Sequence, residues 1–161
     1  MDESARQELA QRFFDQAFEK QKQGEFIEAI ELYKKSLEVY PTAEAHTYLG
    51  WTYSFMGRLD DAIEECQKAI GVDPDFGNPY NDIGAYLIQK GEFDEAIPWL
   101  ERALKAPRYA SYFYAHQNLG QAYEAKREWS LAKAAYRKAL ELRPDYVLAR
   151  KGLARIRAMF N

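Results

Sequence analysis

Cysteine is nearly missing from this 161-residue sequence. Cys66 stands alone, so no disulfide can form within the chain and the fold must rest on packing. Proline (6) and glycine (9) are scarce and regularly placed, and regular punctuation points to a repeat. No run approaches the ~20 apolar residues of a membrane-spanning helix, so no membrane insertion is expected. The opening Met1-Asp2-Glu3-Ser4 lacks the basic start and apolar core of a secretory signal, and the expected compartment is the cytoplasm. Positive charge is not in excess: a net charge of -3 and a pI near 5.5 leave no general basic face, so no nucleic-acid partner is expected. Phosphate-loop glycines, zinc-ligand spacings and a nucleophile elbow are all lacking, and with them any expected cofactor, metal or catalytic residue.

What is abundant is aromatic, with 12 Tyr and 9 Phe, and it recurs in register. Gly24, Gly57 and Gly91 lie 33 and 34 residues apart (57-24 and 91-57). Each is followed two residues later by Phe26, Leu59 or Phe93, and five residues later by Ala29, Ala62 or Ala96. The frame continues 36 residues on (127-91), where Arg127 replaces glycine but Trp129, Ala132, Tyr136 and Ala139 keep the pattern; a different turn is expected there. Pro41, Pro74 and Pro144 each stand 17 residues past a turn residue, while Pro107 comes one residue early, so a two-residue insertion falls within 107–112 as a longer loop.

Upstream of each turn the spacing is helical, as in His46, Leu49, Gly50 and Tyr53 at i, i+3, i+4 and i+7. Downstream, Asp60, Asp94 and Ser130 are expected to be helix N-caps, and Ser4 with Gln7 a capping box for the first helix. Each unit is therefore two antiparallel helices. Pro98 near the start of one second helix is tolerable in a first turn. Glu64-Glu65 and Asp60-Asp61 are expected to be solvating charge and caps.

These residues resemble the tetratricopeptide repeat, whose signature runs Trp, Leu-Gly, Tyr, Gly, aromatic, Ala, aromatic, Ala, Pro over about 34 residues. The second unit shows it as Leu49-Gly50, Tyr53, Gly57, Leu59, Ala62, Cys66, Ala69 and Pro74. The fourth shows it as Leu119-Gly120, Tyr123, Trp129, Ala132, Tyr136, Ala139 and Pro144. Departures are Phe13, His46, Tyr80 and His116 at the early Trp slot, and Ala17 for the first packing glycine. The resemblance implies an all-α fold, a right-handed α-solenoid. Four helix-turn-helix repeats span 10–146 (10–42, 43–76, 77–112 and 113–146), after an N-terminal extension over 1–9. A C-terminal capping helix over 147–161 repeats the first-helix pattern through Leu153 and Ala154.

His46 and His116 share a slot two repeats apart, roughly 20 Å or more at helix spacings of ~8–10 Å, too far to share a metal. Cys66 falls in a large-side-chain slot and is expected to be a buried hydrophobe, not a nucleophile. Trp51 and Phe55 lie roughly 150° or more from the centre of the packing stripe, so pairing of the helices does not need them. In the family this inner face lines a concave groove for extended or helical peptides. The resemblance places Phe14, Phe18 and Lys22 there from the first unit, and Thr47, Trp51 and Phe55 from the second. The third gives Asn78, Asn81, Ala85 and Gln89, the fourth Gln117, Asn118 and Gln121, and the capping helix Lys151 and Arg155. The basic clamp of chaperone-binding relatives is replaced by Phe14, Phe18, Tyr48, Asn78 and Asp82, so an acidic chaperone tail is not an expected partner. Two functions stay open: an adaptor that holds a peptide or partner-protein segment, and a scaffold in which another copy fills the groove, a homo-oligomer. An enzyme lacks any residue constellation.

Overall fold

The computed structural model describes residues 1–161, which form nine α-helices and no strand. The helices are α1 (Glu3–Lys22), α2 (Phe26–Val39), α3 (Ala43–Phe55), α4 (Leu59–Val72), α5 (Asn78–Gln89), α6 (Phe93–Lys105), α7 (Tyr112–Ala125), α8 (Trp129–Leu142) and α9 (Val147–Met159). Within each pair the chain reverses through one left-handed residue: Gly24 (φ 78°), Gly57 (74°), Gly91 (79°) and Arg127 (60°). Glycine suits that conformation because it has no Cβ. The fourth turn was expected to differ and does not. Arg127 adopts the glycine geometry, with the same two closing bonds, Arg127 N to Glu124 O at 3.0 Å and Glu128 N to Tyr123 O at 2.9 Å. The inserted residues lie in the connection 106–111 between α6 and α7.

Helix starts correct the sequence reading. Asp60, Asp94 and Ser130 sit inside the first turns of α4, α6 and α8, and the cap positions Arg58, Glu92 and Glu128 make no side-chain cap bond. The reason is the turn itself. Backbone bonds from Arg58 N to Tyr53 O (3.0 Å) and Glu92 N to Leu87 O (2.9 Å) hold each cap residue against the preceding helix, in a non-extended conformation unsuited to side-chain capping. Asp94 instead pairs with Lys126 at 2.6 Å. In α1 the cap is Asp2, whose carboxylate accepts from Ala5 N at 2.7 Å, so the Ser4–Gln7 box does not form; Gln7 donates to Glu3 at 3.5 Å. Pro98 is inside an unbroken α6.

The chain divides into two compact units, Met1–Pro79 and Tyr80–Asn161. In the first, α1 packs on α2 through fully buried Ala17, Ala29 and Tyr33, and Ser36 Oγ donates to Ala10 O at 2.7 Å. α3 meets α4 so closely at Gly50 that an added Cβ would lie 2.9 Å from Ala62 O. Glu65 is not solvating charge. It is buried, held by His46 Nδ1 at 2.7 Å and Lys68 Nζ at 3.0 Å, and these partners outweigh the upward push of burial to keep its carboxyl below the ordinary glutamate value.

In the second unit, Gly84 receives the Leu100 side chain, and Tyr136 of α8 lies against two glycines, Gly120 of α7 and Gly152 of α9. Tyr136, Ala132, Ala139, Ala149, Leu153 and Ile156 form one core. In α9 Leu153 is buried, Ala154 is exposed because no second helix follows to cover its slot, and Gly152 meets Tyr136 of the preceding helix. Gly152 stands 34 residues after Asn118 (152-118), in a slot that faces the preceding second helix as Tyr48 faces Tyr33, whereas Gly120 faces the second helix of its own pair.

Candidate protein-interaction site

Aromatic residues of α1 and α3 meet ring to ring, and Phe14, Tyr48 and Phe55 also touch rings of α2. Phe14 of α1 lies 5.5 Å from Tyr33 and 5.0 Å from Tyr48, between ring centroids. Phe18 is 5.7 Å from Tyr48, Tyr48 is 5.9 Å from Trp51, and Trp51 is 5.0 Å from Phe55. Phe55 stacks on Phe26 at 5.5 Å with an interplanar angle of 5°. Lys22 Nζ sits 5.0 Å above the Phe18 ring, a cation–π contact at one end. Trp51 and Phe55 remain 40% and 52% exposed, whereas Phe14 and Phe18 are half-buried against their neighbours.

Beside this row a cleft of 480 Å³ opens, lined by Gln7, Gln11, Phe14, Tyr40, Glu44 and Tyr48 among others. Its lining combines aromatic rings with amide, hydroxyl and carboxylate groups, so it can bury an apolar side chain and hydrogen-bond a backbone. Sequence reasoning passed over Tyr48, which joins α1's rings to α3's, and the cleft residues Gln7, Gln11 and Tyr40. The signal was available in the first two: Gln7, Gln11, Phe14 and Phe18 fall at i, i+4, i+7 and i+11 of α1, one face of a helix.

Several other residues assigned to the groove are not free to meet a ligand. Thr47 is buried and donates its hydroxyl to Ala43 O at 2.7 Å, because a threonine in mid-helix satisfies itself on the preceding turn. Asn81 and Asn118 are 4% and 5% exposed and pair with each other, Asn118 Nδ2 to Asn81 Oδ1 at 3.0 Å. Gln117 is buried with its Oε1 unpaired. Arg155 is committed to Glu124, donating from Nε and a terminal nitrogen at 3.0 Å each. Asn78 and Ala85 are half-buried, and Gln89, Gln121 and Lys151 exposed. Asn81, Gln117 and Asn118 are inward because packing against the neighbouring helix covers their side of the first helix.

A polar pairing recurs between slots that the sequence pattern treated separately. Tyr33 donates to Gln21 Oε1 at 2.6 Å and Tyr136 to Glu124 Oε1 at 2.6 Å, the same two slots nine residues after and three before the turn. Where the later slot is Cys66 or Leu100 instead of tyrosine, the earlier one is Ser54 or Ile88. Burial pushes Glu124 up, but its bonds from Arg155 and Tyr136 outweigh this and hold it below its ordinary value. Desolvation likewise lowers His116, which lies in a packing position. No group of three or more His, Cys, Asp or Glu is placed to hold a metal ion, and no helix is long and apolar enough to cross a membrane.

Helical hairpins in tandem, each closed by a left-handed residue and packed through Gly or Ala against a large side chain, define an all-α helical-repeat protein. Tetratricopeptide repeat models match residues 43–76 and 75–145, and the chain belongs to the tetratricopeptide repeat family. It is 30% identical over 78 residues to the small glutamine-rich tetratricopeptide repeat-containing protein 2 of Mycosarcoma maydis, covering 48% of this chain and 22% of that protein. The chain spans about a quarter of the length of this and another curated relative, at 22% and 27%. Among solved structures it is similar to MamA, with 30% identity, a TM-score of 0.74, and coverage of 87% of this chain and 81% of that one. It is also similar to the first repeat domain of Spaghetti (RPAP3), solved bound to the HSP90 peptide SRMEEVD, with 25% identity, a TM-score of 0.69, and coverage of 74% and 93%.

Proposed function

We propose that this chain is a non-catalytic protein-interaction adaptor that takes a segment of a partner protein on the aromatic face of α1 and α3. The observation that carries the reading is the continuous row of rings from Phe14 through Tyr48 and Trp51 to Phe55, with a cleft lined by Phe14 and Tyr48 at one end and two large side chains left partly exposed at the other. A partner that covers the exposed parts of Trp51 and Phe55 gains about 1 kcal/mol or more from each. The similarity to a peptide-bound repeat domain supports a peptide as the occupant, but not that peptide: the acidic sequence SRMEEVD has no basic clamp here, where Phe14, Phe18, Tyr48, Asn78 and Asp82 stand.

The test is a pull-down with the chain as bait, then a binding titration of the captured protein against wild type and Trp51→Ala, with a thermal melt of each. Weakening by ~2 kcal/mol or more at unchanged melting temperature supports the reading. A collapsed melt with normal binding by the folded fraction makes Trp51 a core residue and removes it. The same exposed rings also suit a second copy of the chain. Sedimentation across a concentration series without ligand decides that: growth with concentration, abolished in Trp51→Ala, replaces the adaptor by a self-assembling scaffold.

A further inference from the structure

The cleft beside the α1 rings is uneven in what it offers a ligand, because most of its side-chain protons are already committed to the protein. Gln7 Nε2 and the Tyr40 hydroxyl donate to Glu3 Oε1 at 3.5 and 3.1 Å, and Gln11 Nε2 donates to Asp15 Oδ1 at 2.9 Å. Ser36 Oγ donates to Ala10 O at 2.7 Å. What these groups leave open is mostly oxygen lone pairs, and Glu44 adds a carboxylate to the lining. Neither lysine nor arginine lines the cleft.

Acceptors in a half-apolar cleft select a donor. An anion entering here would lose its water to lone pairs and a carboxylate, with no basic partner in return. The field of the unit has the same sign: over residues 1–79 Asp and Glu outnumber Lys and Arg two to one, whereas the basic excess of the chain lies in 80–161. The aromatic part of the lining agrees, since Phe14 and Tyr48, with ring centroids 5.0 Å apart, present faces of negative potential that attract a cation.

We infer that this cleft takes an arginine side chain of the partner segment, its guanidinium against the Phe14 and Tyr48 rings and its N–H groups shared among the oxygens of Gln7, Gln11 and Glu44. A guanidinium is planar and weakly hydrated, stacks on rings, and spreads five donors over separate acceptors, whereas an ammonium concentrates a strongly hydrated charge at one point. The inference rests on the reading that α1 and α3 receive a partner segment, and it names the residue that segment must carry.

The test is an amide-resolved NMR titration of the full chain with four blocked tripeptides, N-acetylated and C-amidated, that carry Arg, Lys, Leu or Glu between two alanines. Saturable shifts centred on Gln7, Gln11 and Tyr48 are expected with the Arg probe, with weaker binding of Lys, weaker still of Leu, and none of Glu. Glu44→Gln is expected to weaken the Arg probe about threefold and Glu44→Lys at least about tenfold, with a melt of each variant to verify folding. Equal binding of Leu and Arg, preference for Glu, or indifference to both Glu44 substitutions overturns the cation site, as does no saturable shift with any probe. Tighter binding of Lys overturns the arginine assignment. The captured partner separates this inference from the reading beneath it. Binding lost in Trp51→Ala but unchanged in Glu44→Lys removes the arginine and leaves the adaptor face; Arg-probe binding beside a partner indifferent to Trp51→Ala removes that face and leaves the arginine site.

Discussion

Asp82 and Arg127 are single residues whose surroundings work against them, and each makes a stability prediction. Asp82 is desolvated by burial and titrates near pH 7 in the fold against an ordinary value of 3.8, so the folded state favours its protonated form. Its burden is therefore absent below about pH 4, grows as pH rises through the interval to 7, and is constant above it. Urea melts at pH 5 and pH 8 are expected to show Asp82→Asn more stable than wild type at pH 8, by no more than about 4 kcal/mol, with a much smaller gain at pH 5. A gain independent of pH would remove the desolvation argument. Arg127 holds φ at 60°, where a Cβ is penalised and the other three turns use glycine. Arg127→Gly is expected to raise stability by about 0.5–1 kcal/mol, the relief of strain less the added chain entropy of glycine, measured by the same melts.

At the level of helices, the tightest joint is the ring of Tyr136 held between Gly120 and Gly152, with its hydroxyl on Glu124 and Arg155 closing the same carboxylate from α9. A methyl at Gly152 would run into that ring and force α9 away. Gly152→Ala is expected to destabilise by about 1–3 kcal/mol. Gly71, inside α4 with nothing within 4 Å of an added Cβ, supplies the contrast. There Gly71→Ala is expected to stabilise by about 1 kcal/mol through helix propensity alone. Opposite signs for one chemical change, read by denaturant titration, would show that close approach and not glycine itself matters at 152. Glu124 sits below its ordinary value, so its part in the joint is complete above the usual glutamate range and is lost as pH falls through it.

Across the whole molecule, hairpins and their turns were legible because sterics write them into sequence: left-handed turns ask for glycine, and closely packed helices ask for Ala or Gly opposite a large side chain. Arg127 shows the limit of that reading, since the geometry held where the residue changed. Caps were misplaced by two residues, at α4, α6 and α8 because backbone bonds in the turns replaced side-chain caps and at α1 because Asp2 caps the helix ahead of Ser4. At the candidate site, the face of Trp51 and Phe55 was legible from helical phase. The burial of Thr47, Asn81, Gln117 and Asn118 was not, because phase gives the face of a helix but not what the next helix covers. Tyr48 and Asp82 were noted only as departures from a clamp, and their roles depend on neighbours far along the chain.

The sole thiol offers a way to time the opening of the first unit. Cys66 is fully buried beneath Gly50, in a chain with no other sulfhydryl to complicate its chemistry. A water-soluble disulfide reagent can reach it only when α3 and α4 part, so the labelling rate at low reagent concentration is the population of that opened form multiplied by the free thiol's own reactivity. Labelling is expected to be at least about 100-fold slower than in denaturant. A captured partner that binds the aromatic face is expected to slow it further, in proportion to the occupancy of the site. Each copy of the chain therefore reports, through one sulfur atom and without any added label, how often its first unit comes apart and whether that unit is occupied.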